Sequence, residues 1–144
     1  MLPARHTAAL APILAALALG LSACTQVEES ENSYEPTSVH PIKGREVQRV
    51  TFTAEAARRA GVQLARVSTH RGHHVIPYAA LIYNDEGDTY TYVSARPLEY
   101  VRTPIEVARI AGDEVLLEHS PPVGTRVVTT GAAEVYSAEF GVEE

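Results

Sequence analysis

The sequence predicts a mainly β protein, a small antiparallel β-barrel or sandwich of five to six strands with one short N-terminal helix. Three observations carry that expectation. Short runs rich in Val, Ile, Thr and Tyr recur from His74 onward at a spacing of roughly ten residues. Clusters of Gly, Asp, Asn and Pro separate these runs, and such residues build tight turns. Good helix formers gather in "AEAARRA", Ala54 to Ala60.

Structure is expected to begin at "VTFTAEAARRAGVQLARV". Val50 to Thr53 suits a short strand. Thr53 can then act as N-cap, because its hydroxyl can accept a hydrogen bond from an otherwise unpaired N–H of the first turn. Gly61 ends the helix, since glycine tolerates the left-handed conformation at C′. Val62 to Val67 alternates imperfectly (Val62, Leu64 and Arg66 against Gln63, Ala65 and Val67) and predicts a second strand.

The rest reads as β. "VIPYAALIY" is apolar but broken by Pro77, which marks an edge or a bulge. "NDEGD" is a turn. "TYTYV" is a strand that sets Tyr90 and Tyr92 on one face. "YVRTPIEVARI" alternates as one strand, with Val101, Thr103, Ile105 and Val107 sharing a face and Pro104 marking an edge or a kink. "EVLLEH" and "TRVVTTG" are two further strands around the turn "SPPVG". "AAEVYSAEF" is a short helix or a frayed end.

The first 23 residues predict a secretory signal, with Arg5, an apolar run from Ala8 to Leu21, and small residues before Cys24. That run is short of the roughly 20 residues that span a bilayer. "LSAC" resembles the bacterial lipobox, which implies cleavage before Cys24 and a lipid on its sulfur. Cys24 is the only cysteine, so it cannot form an internal disulfide. The expected product is an exported lipoprotein on the outer face of the cytoplasmic membrane. Residues 24–48 are acidic, contain Pro36 and Pro41 and show no periodicity, so they predict a flexible tether. The β-domain is expected over residues 49–144.

Charge excludes some partners. The chain carries a formal net charge of −6, which becomes more negative once Arg5 leaves. Nucleic acid needs clustered Lys and Arg, and a polybasic membrane patch is equally excluded.

Candidate chemistry is sparse. His70, His73 and His74 fall within five positions, and imidazole is a common metal ligand. Adjacent His73 and His74 point to opposite faces of a strand, however, and no cysteine is free to help. Glu118 and His119 are distant candidate partners. A polar loop entering a strand is the plainer reading. Met1 is the only methionine and leaves with the signal, so a thioether copper site is excluded. Asp85, Glu86 and Asp88 cluster in a glycine-containing turn somewhat like calcium ligands but lack the rest of such a loop, so a solvated hairpin tip is expected. The chain has no Gly-x-Ser-x-Gly elbow, no dinucleotide glycine motif and no phosphate-binding loop. No enzyme and no cofactor are expected. Tyr90, Tyr92 and Arg102 are candidate exposed partner-binding residues.

Three segments in order carry a family resemblance. "VTFTAEAARRAGVQLARV", "HVIPYAALIYNDEGDTYTYV" and "IEVARIAGDEVLLEHSPPVGTRVVTTG" are similar to the strand–helix–strand, the Val-Pro-x-x-Ala strand pair and the closing strands of periplasmic adaptor subunits of efflux pumps, the membrane fusion proteins of the HlyD type. The resemblance covers Val50 to Gly131 and rests on order and spacing. Ser120-Pro121-Pro122-Val123-Gly124 departs from the Gly-Leu that adaptors usually place before the last turn. The larger departure is that adaptors insert a lipoyl-like domain and a helical hairpin between the first two segments, where this chain has only "STHRG". The histidine stretch is therefore a seam.

The resemblance implies a membrane-proximal β-domain alone, and a non-catalytic accessory subunit of an export permease of the RND or ABC type. Full adaptors form rings partly through the parts absent here, so both monomer and oligomer remain open. Two other readings stand beside it. One is an exported metal-binding lipoprotein that uses the histidines. The other is a surface lipoprotein whose β-domain is a scaffold without a transporter partner.

Overall fold

The computed structural model describes residues 35–141. The expected signal, Cys24 and the first part of the tether lie outside them. Among the described residues the fold is mainly β, with two antiparallel sheets, two α-helices and no closed barrel.

The described residues form eleven strands: β1 (Thr37–Pro41), β2 (Gln48–Phe52), β3 (Gln63–Arg66), β4 (Ser68–His70), β5 (His73–Pro77), β6 (Ile82–Tyr83), β7 (Thr89–Arg96), β8 (Glu99–Pro104), β9 (Glu106–Ala111), β10 (Glu114–His119) and β11 (Arg126–Thr130). Helix α1 covers Ala54–Arg59 and α2 covers Ala132–Phe140. The larger sheet runs β1–β2–β8–β7–β11–β3, with β6 also on β7; the smaller runs β4–β5–β10–β9.

The strand count exceeds the expected five to six because two apolar runs divide, "VIPYAALIY" into β5 and β6 and the run from Tyr100 into β8 and β9, and because β1 and β4 form in segments read as tether and connector. "YVRTPIEVARI" becomes β8 in the larger sheet and β9 in the smaller. Ile105 stands between them, 4% exposed, its N–H donating to the Thr89 carbonyl at 3.0 Å. Periodicity continues through Ile105, so alternation alone does not reveal the change of sheet. Val67 makes the reciprocal crossing from β3 to β4. It is also buried, donates to the Thr125 carbonyl and accepts from the Gly124 N–H, both at 2.8 Å.

The expected tether is ordered in its second half. β1 pairs antiparallel with β2 from Thr37↔Phe52 to Pro41↔Gln48. β1 is an edge strand that follows Pro36 and ends on Pro41, and its backbone ladder holds it with little apolar burial. That is why hydropathy patterning misses it.

Helix α1 follows the sequence closely. Thr53 Oγ1 accepts from the Ala56 N–H at 3.1 Å. The Gly61 N–H reaches the Arg58 carbonyl and the Val62 N–H the Ala57 carbonyl, the paired bonds of a Schellman stop.

Two apolar cores lie on opposite faces of the larger sheet. Val50, Phe52, Tyr92, Tyr100 and Val128 pack with Ala56 and Ala57 of α1 and Val135 of α2. Val67, Ile76, Ile105, Val115, Leu117 and Val127 fill the space toward the smaller sheet. The adjacent Val127 and Val128 serve different cores, as strand geometry requires.

Candidate functional site

The histidines surround a two-residue hairpin. β4 pairs with β5 so that His70 opposes His73, and His74 opposes Thr69. Arg71 (φ 51°) and Gly72 (φ 86°) make the turn, with both central residues at positive φ as this kind of hairpin needs. His70 and His73 thus share one face, and His74 takes the other. His70 Nδ1 shares a hydrogen bond with Glu114 Oε2 at 2.8 Å. His74 Nδ1 bonds to the Ser120 hydroxyl. His119 is joined instead to Glu106 at 2.7 Å. Among the described residues no three His, Cys, Asp or Glu side chains are placed to hold one metal ion. Asn84 organises the acidic turn: its Oδ1 accepts from the N–H groups of Glu86 and Asp88 at 3.1 and 2.7 Å.

The tyrosines and Arg102 form a different kind of site from the exposed surface expected. Tyr92 is fully buried. Its hydroxyl donates to Glu139 Oε2 at 2.6 Å. Arg102 Nε reaches the same carboxylate at 3.1 and 3.3 Å. The Arg102 side chain is only 12% exposed and that of Glu139 only 1%. The reason is α2: the helix lays Glu139 across the larger sheet and covers both side chains. Burial first, and the Glu139 carboxylate second, push the Tyr92 hydroxyl above its usual range.

The outer layer of this cluster does reach solvent. The Arg102 guanidinium lies 4.7 Å from the Tyr90 ring centroid and 5.0 Å from that of Phe140. Phe140 packs on Tyr136 at 4.6 Å and is 48% exposed. A desolvated arginine between two rings is held by cation–π attraction as well as by its ion pair. A groove of about 420 Å³, lined by Arg45, Glu46, Val47, Arg102, Thr103 and Pro104, adjoins it.

Sequence reasoning singled out Tyr90, Tyr92 and Arg102 but missed Glu139 and Phe140. Their signal was the helical spacing of Val135 and Glu139, which places an acid beside an apolar residue on the buried side of a short helix, with Tyr136 and Phe140 flanking it.

The fold and this cluster define a two-sheet antiparallel β-domain with an aromatic and arginine patch. Against known proteins, no family model, no curated protein and no solved structure matches the chain.

Proposed function

We propose that the chain is a non-enzymatic, lipid-anchored accessory subunit of an export permease, an adaptor reduced to its membrane-proximal β-domain. The observation that carries this reading is the closed seam. β3 leads through Val67 into β4, and β4 turns straight into β5 over Arg71 and Gly72. At the point where an adaptor would insert its further domains, the chain forms a finished hairpin. A self-contained β-domain supports a local role beside a permease rather than a bridge across an envelope.

No helix among the described residues is long and apolar enough to cross a membrane. In this reading the lipid on Cys24 supplies attachment. Docking falls to the patch of Tyr90, Arg102 and Phe140, because Phe140 is exposed beside an arginine already paired with Glu139, and prepaired anchors lose little freedom on binding.

The test is affinity capture of the lipidated protein from gently solubilised native membranes, read by mass spectrometry. One export permease in near-stoichiometric amount, lost with Phe140→Ala, is the expected result. Recovery of nothing beyond a secreted Cys24→Ala control removes the reading.

A further inference from the structure

Arg66 and Arg126 stand directly opposite each other on β3 and β11. Antiparallel partners have Cβ atoms about 5 Å apart, and like charges in that position repel. In a chain of net charge −6 this arrangement is unexpected. Other arginines of the larger sheet have carboxylates: Arg49 and Arg96 with Glu99, and Arg102 with Glu139. Among the described residues neither Arg66 nor Arg126 has one. Each instead donates to a main-chain carbonyl, Arg66 Nη1 to Gly124 at 2.9 Å and Arg126 Nη2 to Ala95 at 3.5 Å.

Those carbonyls orient the guanidinium groups without neutralising them. Arg66 is exposed and Arg126 half-buried, so a ligand can reach both. A groove of about 440 Å³ borders Arg126; its lining is mostly apolar, with Val93, Ala95, Pro121 and Pro122 beside Ser94, Thr103 and Thr125. Two planar five-donor forks rise from facing positions on neighbouring strands, and such forks suit bidentate binding of an oxyanion.

We infer that Arg66 and Arg126 form a binding site for a phosphate-class oxyanion, either free in solution or as a lipid headgroup. The inference does not rest on the accessory-subunit reading. The ligand removes the cross-strand repulsion that the protein itself leaves uncompensated.

The test uses the full chain carrying Cys24→Ala, so that no lipid contributes. ¹⁵N spectra are recorded during titration with inorganic phosphate, and co-sedimentation is measured with phosphatidylcholine vesicles with and without phosphatidylglycerol. Expected is a saturable shift of the Gly124 and Thr125 amides with phosphate, or binding to the anionic vesicles only. Either supports the site, and together they tell the free anion from the headgroup. Arg66→Gln and Arg126→Gln each weaken that binding by about tenfold, the scale of one lost hydrogen bond to a charged group. The same spectra report folding. A variant that loses dispersion is replaced by Arg66→Lys, which keeps the charge but not the fork and is also expected to bind about tenfold more weakly. No saturable response to either probe, or undiminished binding by the folded variants, overturns the inference.

Discussion

The Tyr92 hydroxyl donates a 2.6 Å hydrogen bond to the Glu139 carboxylate, joining the centre of the larger sheet to the last turn of the C-terminal helix. Arg102 completes the group from β8. Each member leaves water on folding, so each depends on the others to offset that loss.

Removing the shared acceptor should therefore cost most. Glu139→Ala strands the Arg102 charge and is expected to destabilise the domain by about 3–5 kcal/mol. Tyr92→Phe removes one donor and should cost about 1.5–3 kcal/mol. Urea unfolding of the two single variants and the double variant measures their coupling, expected above about 0.5 kcal/mol. Strict additivity would show that the hydroxyl and the carboxylate act independently.

Alkaline pH should unfold the protein through the same contact. The Tyr92 hydroxyl is held above its ordinary value, chiefly by burial, and burial raises Tyr100 too. A raised folded value means that the native state keeps a proton the unfolded chain releases. That stabilisation is complete below the unfolded value of about 10 and falls as pH rises past it, by about 1.4 kcal/mol per pH unit for Tyr92, with Tyr100 adding a loss of the same sign. Urea midpoints between pH 9 and 11 should decline accordingly, and Tyr92→Phe should remove part of the slope. An unchanged slope would assign the effect elsewhere.

Gly131 should resist substitution. It caps α2 with φ 79°, and a Cβ there would lie 2.9 Å from Val62 Cγ2 and 3.0 Å from the Ala60 carbonyl oxygen. Gly131→Ala combines backbone strain of about 1–2 kcal/mol with overpacking of about 1–3 kcal/mol. Gly72 also has positive φ, but nothing lies within 4 Å of its missing Cβ. Gly72→Ala should thus cost only the strain. Thermal melts of the two variants should rank in that order.

The seam should accept added chain. Arg71 and Gly72 are exposed at the hairpin tip, where an insertion disturbs no packed side chain. A flexible ten-residue insert between them adds a loop-closure cost that grows only slowly with length, on the order of 1–2 kcal/mol. A melt showing cooperative unfolding near the parent temperature is the expected result. Loss of folding would mean that the tight turn itself holds β4 against β5.

Local chemistry was legible in the residues themselves. Thr53 and Gly61 mark the ends of α1 because capping depends on near neighbours. The strand–turn rhythm after His74 is likewise local, and so is the opposition of His73 and His74. The miscast residues depend on distant partners. Nothing near Arg102 or Tyr92 in sequence announces Glu139, 37 and 47 positions away, so a buried ion pair read as strand surface. β1 was hidden for a related reason, since an edge strand is ordered by its neighbour's backbone. Ile105 kept the alternation of one strand while handing the chain from one sheet to the other.

The larger sheet is a partition one residue thick, with Val127 facing one core and Val128 the other. Neither compartment can loosen alone, because any shift of β11 opens both. Hydrogen exchange in this domain should therefore release its slowest amides together. Selection on the helix-covered side also constrains the side toward the smaller sheet, so the two halves of the interior must change sequence in step.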